Sequence, residues 1–283
     1  MTLEKFESIL KVEGKSAETI RTYTKCVRRY LIWLRRRKKG LPNKENVLEF
    51  LLKLAKRKDL KPSTKRMYAT ALKIYFDKME LEFPKVKMSV VRWGKPKALT
   101  EDEYARLYKA TKGEARARAM LSLAYSTGVR VGELVSRTRK DLDIRNPRKA
   151  KLLVAGKTGA DTDAWLPVNE RAVEDLRAYF ASLPALGPDD YVFHGATPQF
   201  AMHTNMAREI LYKIEKKAGI EKQGFHVTRH SRATHLVAKG VPLPYIQGLL
   251  RHKDPKMTFR YAQPMTEDMR SVFDRVDKSR RRR

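Results

Sequence analysis

Four short segments in the C-terminal two thirds of a 283-residue chain carry side chains with a shared chemical aptitude. They are Ser126-Thr127-Gly128-Val129-Arg130-Val131-Gly132-Glu133-Leu134, Gly156-Lys157-Thr158-Gly159, His226-Val227-Thr228-Arg229, and the stretch from Leu250-Arg251-His252 to Phe259-Arg260-Tyr261. Attack on a phosphodiester needs a nucleophile, positive charge on the phosphate oxygens and a proton donor for the leaving oxygen. Arginine suits the oxygens because its planar fork binds them in pairs and stays charged. A tyrosine hydroxyl has a pKa of about 10, so it attacks at neutral pH only beside a base or in a strong positive field. Gly128 and the turn after it place Arg130 at a helix start, where backbone N–H groups also face an anion. The three-residue spacing of His226 and Arg229 puts both on one helix face. Gly156–Gly159 falls in a hairpin turn, an exposed tip able to reach into a groove.

The elements that must position these residues read as mainly helical, with a small β-hairpin or sheet in the second of two domains. In residues 1–85, Ile20, Tyr23, Val27, Tyr30, Leu31 and Leu34 follow helical spacing from Thr19. Lys25, Arg28, Arg29, Arg35 and Arg36 make the other side basic, and the helix is expected to run through Arg37–Lys39 to a stop at Gly40. A second helix is expected over Lys44–Lys56. A third starts after Pro62 with Ser63 as N-cap and shows Lys65, Arg66 and Lys73 outward. Residues 86–99, with Gly94, Pro96, Arg92, Lys95 and Lys97, read as a basic linker. Thr100 and Glu103 announce the next helix as a capping box. In residues 100–283 the spacing predicts helices at Glu101–Thr111, Ala115–Ser126, Val131–Arg137, Glu170–Ser182, Asn205–Ala218 and Thr228–Lys239. Two strands, Lys151–Ala155 and Ala164–Val168, flank the turn. Pro242 and Pro244 break the chain before a helix at Tyr245–Leu250. A last amphipathic helix holds Met269, Val272, Phe273 and Val276, and a basic tail ends the chain.

Lysine and arginine total 62 against 32 acidic residues, a formal charge of +30. A charge that large opposes compaction, so a polyanionic partner is its simplest reason. Hydrophobic residues at 42% suit a packed globular protein. No apolar run is long enough to span a bilayer, the N-terminus does not read as a signal peptide, and Cys26 stands alone, so it reads as a small core residue. An intracellular, cytoplasmic location with no membrane partner fits.

The ordered set Arg130, Lys157, His226, Arg229, His252 and Tyr261 resembles the active site of tyrosine recombinases, also called lambda-type integrases. The basic helical N-terminal part resembles their core-binding domain, and the layout is most similar to Xer-type or compact archaeal integrases. The resemblance implies a two-domain DNA clamp. Arg130 and Arg229 would hold the scissile phosphate, Lys157 would protonate the departing 5′ oxygen, and His226 would accept or relay the tyrosine proton. His252 would bond the phosphate and Tyr261 would form a 3′-phosphotyrosyl link. It implies no cofactor, neither ATP nor metal, and four protomers acting on two double-stranded DNA sites through a Holliday junction. Glu133 matches a recurrent acidic position that supports the site. Two departures stand out: Arg251 replaces the usual glycine before His252, and Asp161-Thr162-Asp163 follow the hairpin lysine, for which Lys151 is the nearest substitute.

Taken singly, each residue has a plainer reading: a solvated arginine, a packed tyrosine, a turn lysine. His230 and His235 read as structural, and Tyr191 and Tyr245 as packing residues. The pair His226 and His230 has zinc-helix spacing, but Val227 stands where the water-activating glutamate belongs. Gly156-Lys157-Thr158 fails as a phosphate loop because position 151 is lysine. The rival from another class is a DNA-binding architectural or regulatory protein of the same fold; a type IB topoisomerase is the third reading.

Overall fold

The computed structural model describes residues 3–86, 97–155 and 163–262. The linker centre with Lys95, the hairpin turn with Lys157, the expected helix at Met269–Val276 and the basic tail lie outside the described residues. The chain divides into two compact units, Met1–Trp93 and Gly94–Arg283.

Among its described residues the first unit has four helices: α1 (Leu3–Val12), α2 (Ala17–Arg36), α3 (Lys44–Lys56) and α4 (Pro62–Lys78). Helix α1 was not foreseen; it buries Phe6 and Leu10. Ser16 caps α2 by accepting from the Thr19 backbone N–H, and the helix ends at Arg36, before Gly40. Lys38 and Gly40 both adopt positive φ there, so the chain leaves the helix earlier than the basic run suggests. Helix α4 is capped two residues before expectation, with Lys61 at the N-cap and Pro62 in the first turn, where its missing N–H costs nothing. The core between the helices is aromatic: Tyr30 sits 5.3 Å from Phe50, and Phe6 meets Tyr75 edge-on at 5.3 Å. Cys26 is buried in it. Lys25, Arg28, Arg29, Arg35, Arg36 and Arg66 are exposed. Lys65 is half-buried, its Nζ donating to the Ala55 carbonyl at 2.7 Å.

The second unit is built on α6 (Ala115–Thr127), whose residues are buried nearly all round and which packs against α8 (Glu170–Ala181), α9 (Thr204–Lys217) and α10 (His226–Ala238). Its other elements are α5 (Glu101–Ala110), α7 (Val131–Val135), α11 (Leu243–Leu250) and α12 (Lys256–Phe259). The Thr100–Glu103 capping box opens α5. The two expected strands form as β2 (Lys151–Val154) and β3 (Ala164–Pro167), with a third, β1 (Leu142–Asp143), added. The sheet is antiparallel in the order β1-β2-β3, with Leu142 facing Leu152 and Leu152 facing Leu166. Those leucines turn to the core; Trp165 on the other face is exposed and carries Lys151 Nζ 4.5 Å above its ring. Pro244 does not stop α11: it lies in the first turn, after Pro242 at the N-cap. Among the described residues no helix is long and apolar enough to cross a membrane.

Candidate active site

The lead-in to α10 is fixed before the helix begins. Glu215, fully buried on α9, accepts from the backbone N–H groups of Gln223 at 3.1 Å and Gly224 at 3.0 Å. The helix starts at His226, two residues earlier than expected, so His226, Arg229 and His230 all lie in its first turn and a half. Arg229 is 3% exposed. Its guanidinium donates to the Gly128 carbonyl at 2.5 Å and to the Leu250 carbonyl. Those oxygens end α6 and α11, where helix carbonyls lack intrahelical donors and carry partial negative charge. One arginine therefore ties three helix ends together. Burial, then the charges of Arg130 and Arg251, bring its pKa down to about 10.

Gly128 ends α6 in the left-handed conformation, and a Cβ there would meet Leu250 Cδ2 at 2.8 Å. The close approach of the α6 and α11 ends needs glycine at this position. Two residues later Arg130 opens α7, as its place in the sequence suggests. Glu133 accepts from the Arg130 backbone N–H at 2.8 Å and from its guanidinium at 2.9 Å. Its second oxygen also takes Arg251 Nη2 at 2.6 Å. Burial works to raise the Glu133 pKa, but the Arg130 N–H and the charges of Arg251 and Arg130 outweigh it and hold the carboxylate below its ordinary range. Arg251 takes the left-handed conformation that glycine favours, φ 53°. Its side chain is pinned on Glu133 and half-buried, beside Arg130 in the cationic site.

Tyr261 follows α12, a short helix the sequence reading missed, and is 7% exposed. Its hydroxyl lies 2.6 Å from His230 Nδ1. Its ring also stacks on His252, planes 5° apart and centroids 6.3 Å apart. His252 is buried, with Nδ1 2.8 Å from Thr258 Oγ1. Burial raises the Tyr261 phenol above its ordinary value, against the opposing charges of Arg229 and Arg260. Burial and nearby cations lower the imidazoles: His230 and His252 each to about 4, and His226 below its ordinary value. The imidazoles are thus neutral at pH 7, and the positive charge comes from the arginines.

Of the six residues singled out, Arg130, His226, Arg229, His252 and Tyr261 come together, and Lys157 lies outside the described residues. Lys151, its substitute, is held over Trp165 on the sheet. His230 was set aside as structural, yet it is the residue that touches the tyrosine oxygen; its place one turn after His226 was the available signal. His235 is structural: it joins Tyr125 at 2.7 Å and the Leu99 carbonyl at 2.8 Å. Tyr191 is half-buried and bridges to Thr138. Tyr245 is corrected, being 73% exposed rather than packed. Among the described residues no third histidine, cysteine or carboxylate joins His226 and His230 as a metal-binding group.

The helical second unit, with two arginines, imidazoles and a phenol converging, defines a class of protein equipped to act on a phosphodiester. Residues 97–268 match the phage integrase family, and residues 2–82 match the SAM-like N-terminal domain of phage integrases. The chain is 32% identical to the tyrosine recombinase XerA of Thermococcus kodakarensis over 97% of this chain and 94% of that one. It is 29% identical to XerA of Pyrococcus horikoshii over 97% and 93%. Among solved structures it is similar to a XerA recombinase, at 25% identity and TM-score 0.56 over 97% of both chains. It is also similar in fold to a XerH site-specific recombinase bound to its difH substrate, at 19% identity and TM-score 0.73 over 95% of this chain and 82% of that one. The chain belongs to the phage integrase family of tyrosine recombinases, enzymes that cut and rejoin DNA.

Proposed function

We propose that this protein is a site-specific recombinase of double-stranded DNA in which Tyr261 attacks the scissile phosphate and holds the 3′ end as a phosphotyrosine. The observation that carries the reading is the grouping of Tyr261 with Arg229, Arg130 and His252 around one cationic site. Arg130, the more exposed of the two arginines, binds a non-bridging oxygen directly. Arg229 does so by exchanging a carbonyl for the phosphate. His252 bonds the phosphate, His226 serves proton movement at the open edge, and Lys157 protonates the 5′ oxygen. The phosphotyrosyl bond conserves the energy of the phosphodiester, so no ATP and no metal is required for rejoining.

Residues 1–85 act as the core-binding domain, 86–99 as a linker, and 100–283 as the catalytic domain, closing as a clamp on DNA. Four protomers work on two sites through a Holliday junction, with the segment 269–276 as the candidate for docking on a neighbour. The biological task is dimer resolution or integration and excision of a mobile element, in the cytoplasm. The test is a plasmid carrying two copies of the site that the protein itself selects from a random DNA pool. Without ATP or divalent metal, the wild type resolves it into two circles and Tyr261→Phe yields none; resolution by the variant refutes the reading.

A further inference from the structure

Tyr261 Oη has one hydrogen-bond partner among the described residues, Nδ1 of His230 at 2.6 Å. A phenol has a single proton to give. That proton is satisfied only if the hydroxyl donates to Nδ1, which leaves both oxygen lone pairs free to meet a phosphorus atom. We infer that His230 is a further catalytic residue, which orients the Tyr261 hydroxyl and takes its proton as Oη attacks. The inference rests on Tyr261 being the nucleophile. As the Oη–P bond forms, the O–H bond breaks and its proton passes to Nδ1. The P–O5′ bond breaks in turn, and the 5′ oxygen leaves with a proton from the site's acid. Rejoining runs the same exchange backward: Nδ1 returns the proton to Oη as the 5′ hydroxyl displaces it.

The neighbouring rings divide the remaining roles. His252 cannot offer Nδ1 to the phenol, because Thr258 Oγ1 engages it at 2.8 Å. His226 stacks on His230, centroids 5.9 Å apart, and as a residue it is more exposed than His230. It lies on the solvent side of His230, which keeps the proton on Nδ1 until rejoining. Spacing on α10 explains the pair: positions four apart share a helix face. The resting site keeps the proton on the phenol, because burial raises Tyr261 and lowers His230 to about 4. Attack reverses the preference, since an oxygen bonding to phosphorus loses its hold on the proton and a weak base then suffices.

The test is single-turnover cleavage of a suicide duplex by the full-length protein. His230→Asn keeps an acceptor near Nδ1 but cannot carry the proton, and His230→Ala opens room for added imidazole. Both variants should cleave slower by roughly 10²-fold or more, the usual loss of a general base. DNA binding by gel shift should stay within about twofold of wild type, and imidazole should restore part of the His230→Ala rate. Wild-type cleavage by His230→Asn overturns the proton transfer, and so does a His230→Ala loss that imidazole leaves unchanged. Failure of the wild type to form any adduct would instead sink Tyr261 as nucleophile, so the two ideas fail separately.

Discussion

His230 and His252 show what the residue scale adds to a list of candidate side chains. Both are held neutral in the folded protein, at about 4 against an ordinary 6.5. Between those values the unfolded chain binds more protons than the native one, so stability rises with pH across the window and is lost as pH falls through it. Each group contributes at most about 1.4 kcal/mol per pH unit. Urea melts from pH 7 to 4 should therefore show a steep loss for the wild type and a shallower one for His230→Gln; equal slopes would contradict the burial of this ring as a neutral base. The identities of Arg130, His226, Arg229, His252 and Tyr261 were legible because their types and order are informative without geometry. The contact to His230 was not, since it joins positions 31 apart that only the packing of α12 on α11, and of α11 on α10, brings within reach.

At the scale of elements, the site depends on helix ends rather than helix faces. Gly128 ends α6 with positive φ where a Cβ would run into the Leu250 side chain, and Arg229 binds the carbonyls of both residues. Gly128→Ala adds left-handed strain and a steric clash, so chemical denaturation should show a loss of about 2 kcal/mol or more. Arg251 is the opposite case, a left-handed residue that is not glycine. Arg251→Gly relieves about 1 kcal/mol of strain but forfeits a largely buried bond to Glu133, which keeps Arg130, so stability should fall by about 1 to 2 kcal/mol. Glu133→Ala leaves Arg130 and Arg251 without their carboxylate beside Arg229, and should cost about 2 to 3 kcal/mol by the same measurement. Long amphipathic helices were readable from their spacing. Two short elements were not: β1 has two residues and α12 four, too few to show a period, and tertiary packing defines them. Pro244 misled because a proline in a first turn is tolerated where one in mid-helix is not.

For the whole molecule, the surplus of 62 basic over 32 acidic residues is the dominant fact. Its exposed share on α2 and α4 suits phosphate contacts made without regard to sequence. Affinity for DNA should fall by roughly 10³-fold or more between about 50 and 200 mM salt, as counterion release requires for a many-phosphate interface. A flat salt dependence in fluorescence anisotropy would remove that role from the basic surface. Composition made a polyanionic partner legible, whereas the division into two units at Trp93 and Gly94 shows in the sequence only as a stretch without period. The central claim, strand cleavage by Tyr261, is tested most directly by a metal-free suicide duplex carrying the selected site, resolved on a denaturing gel. The wild type should give a protein–DNA band that proteolysis and mass spectrometry map to Tyr261, while Tyr261→Phe binds the duplex and gives none. An adduct that persists in Tyr261→Phe, or none from the wild type on a bound site, would contradict it.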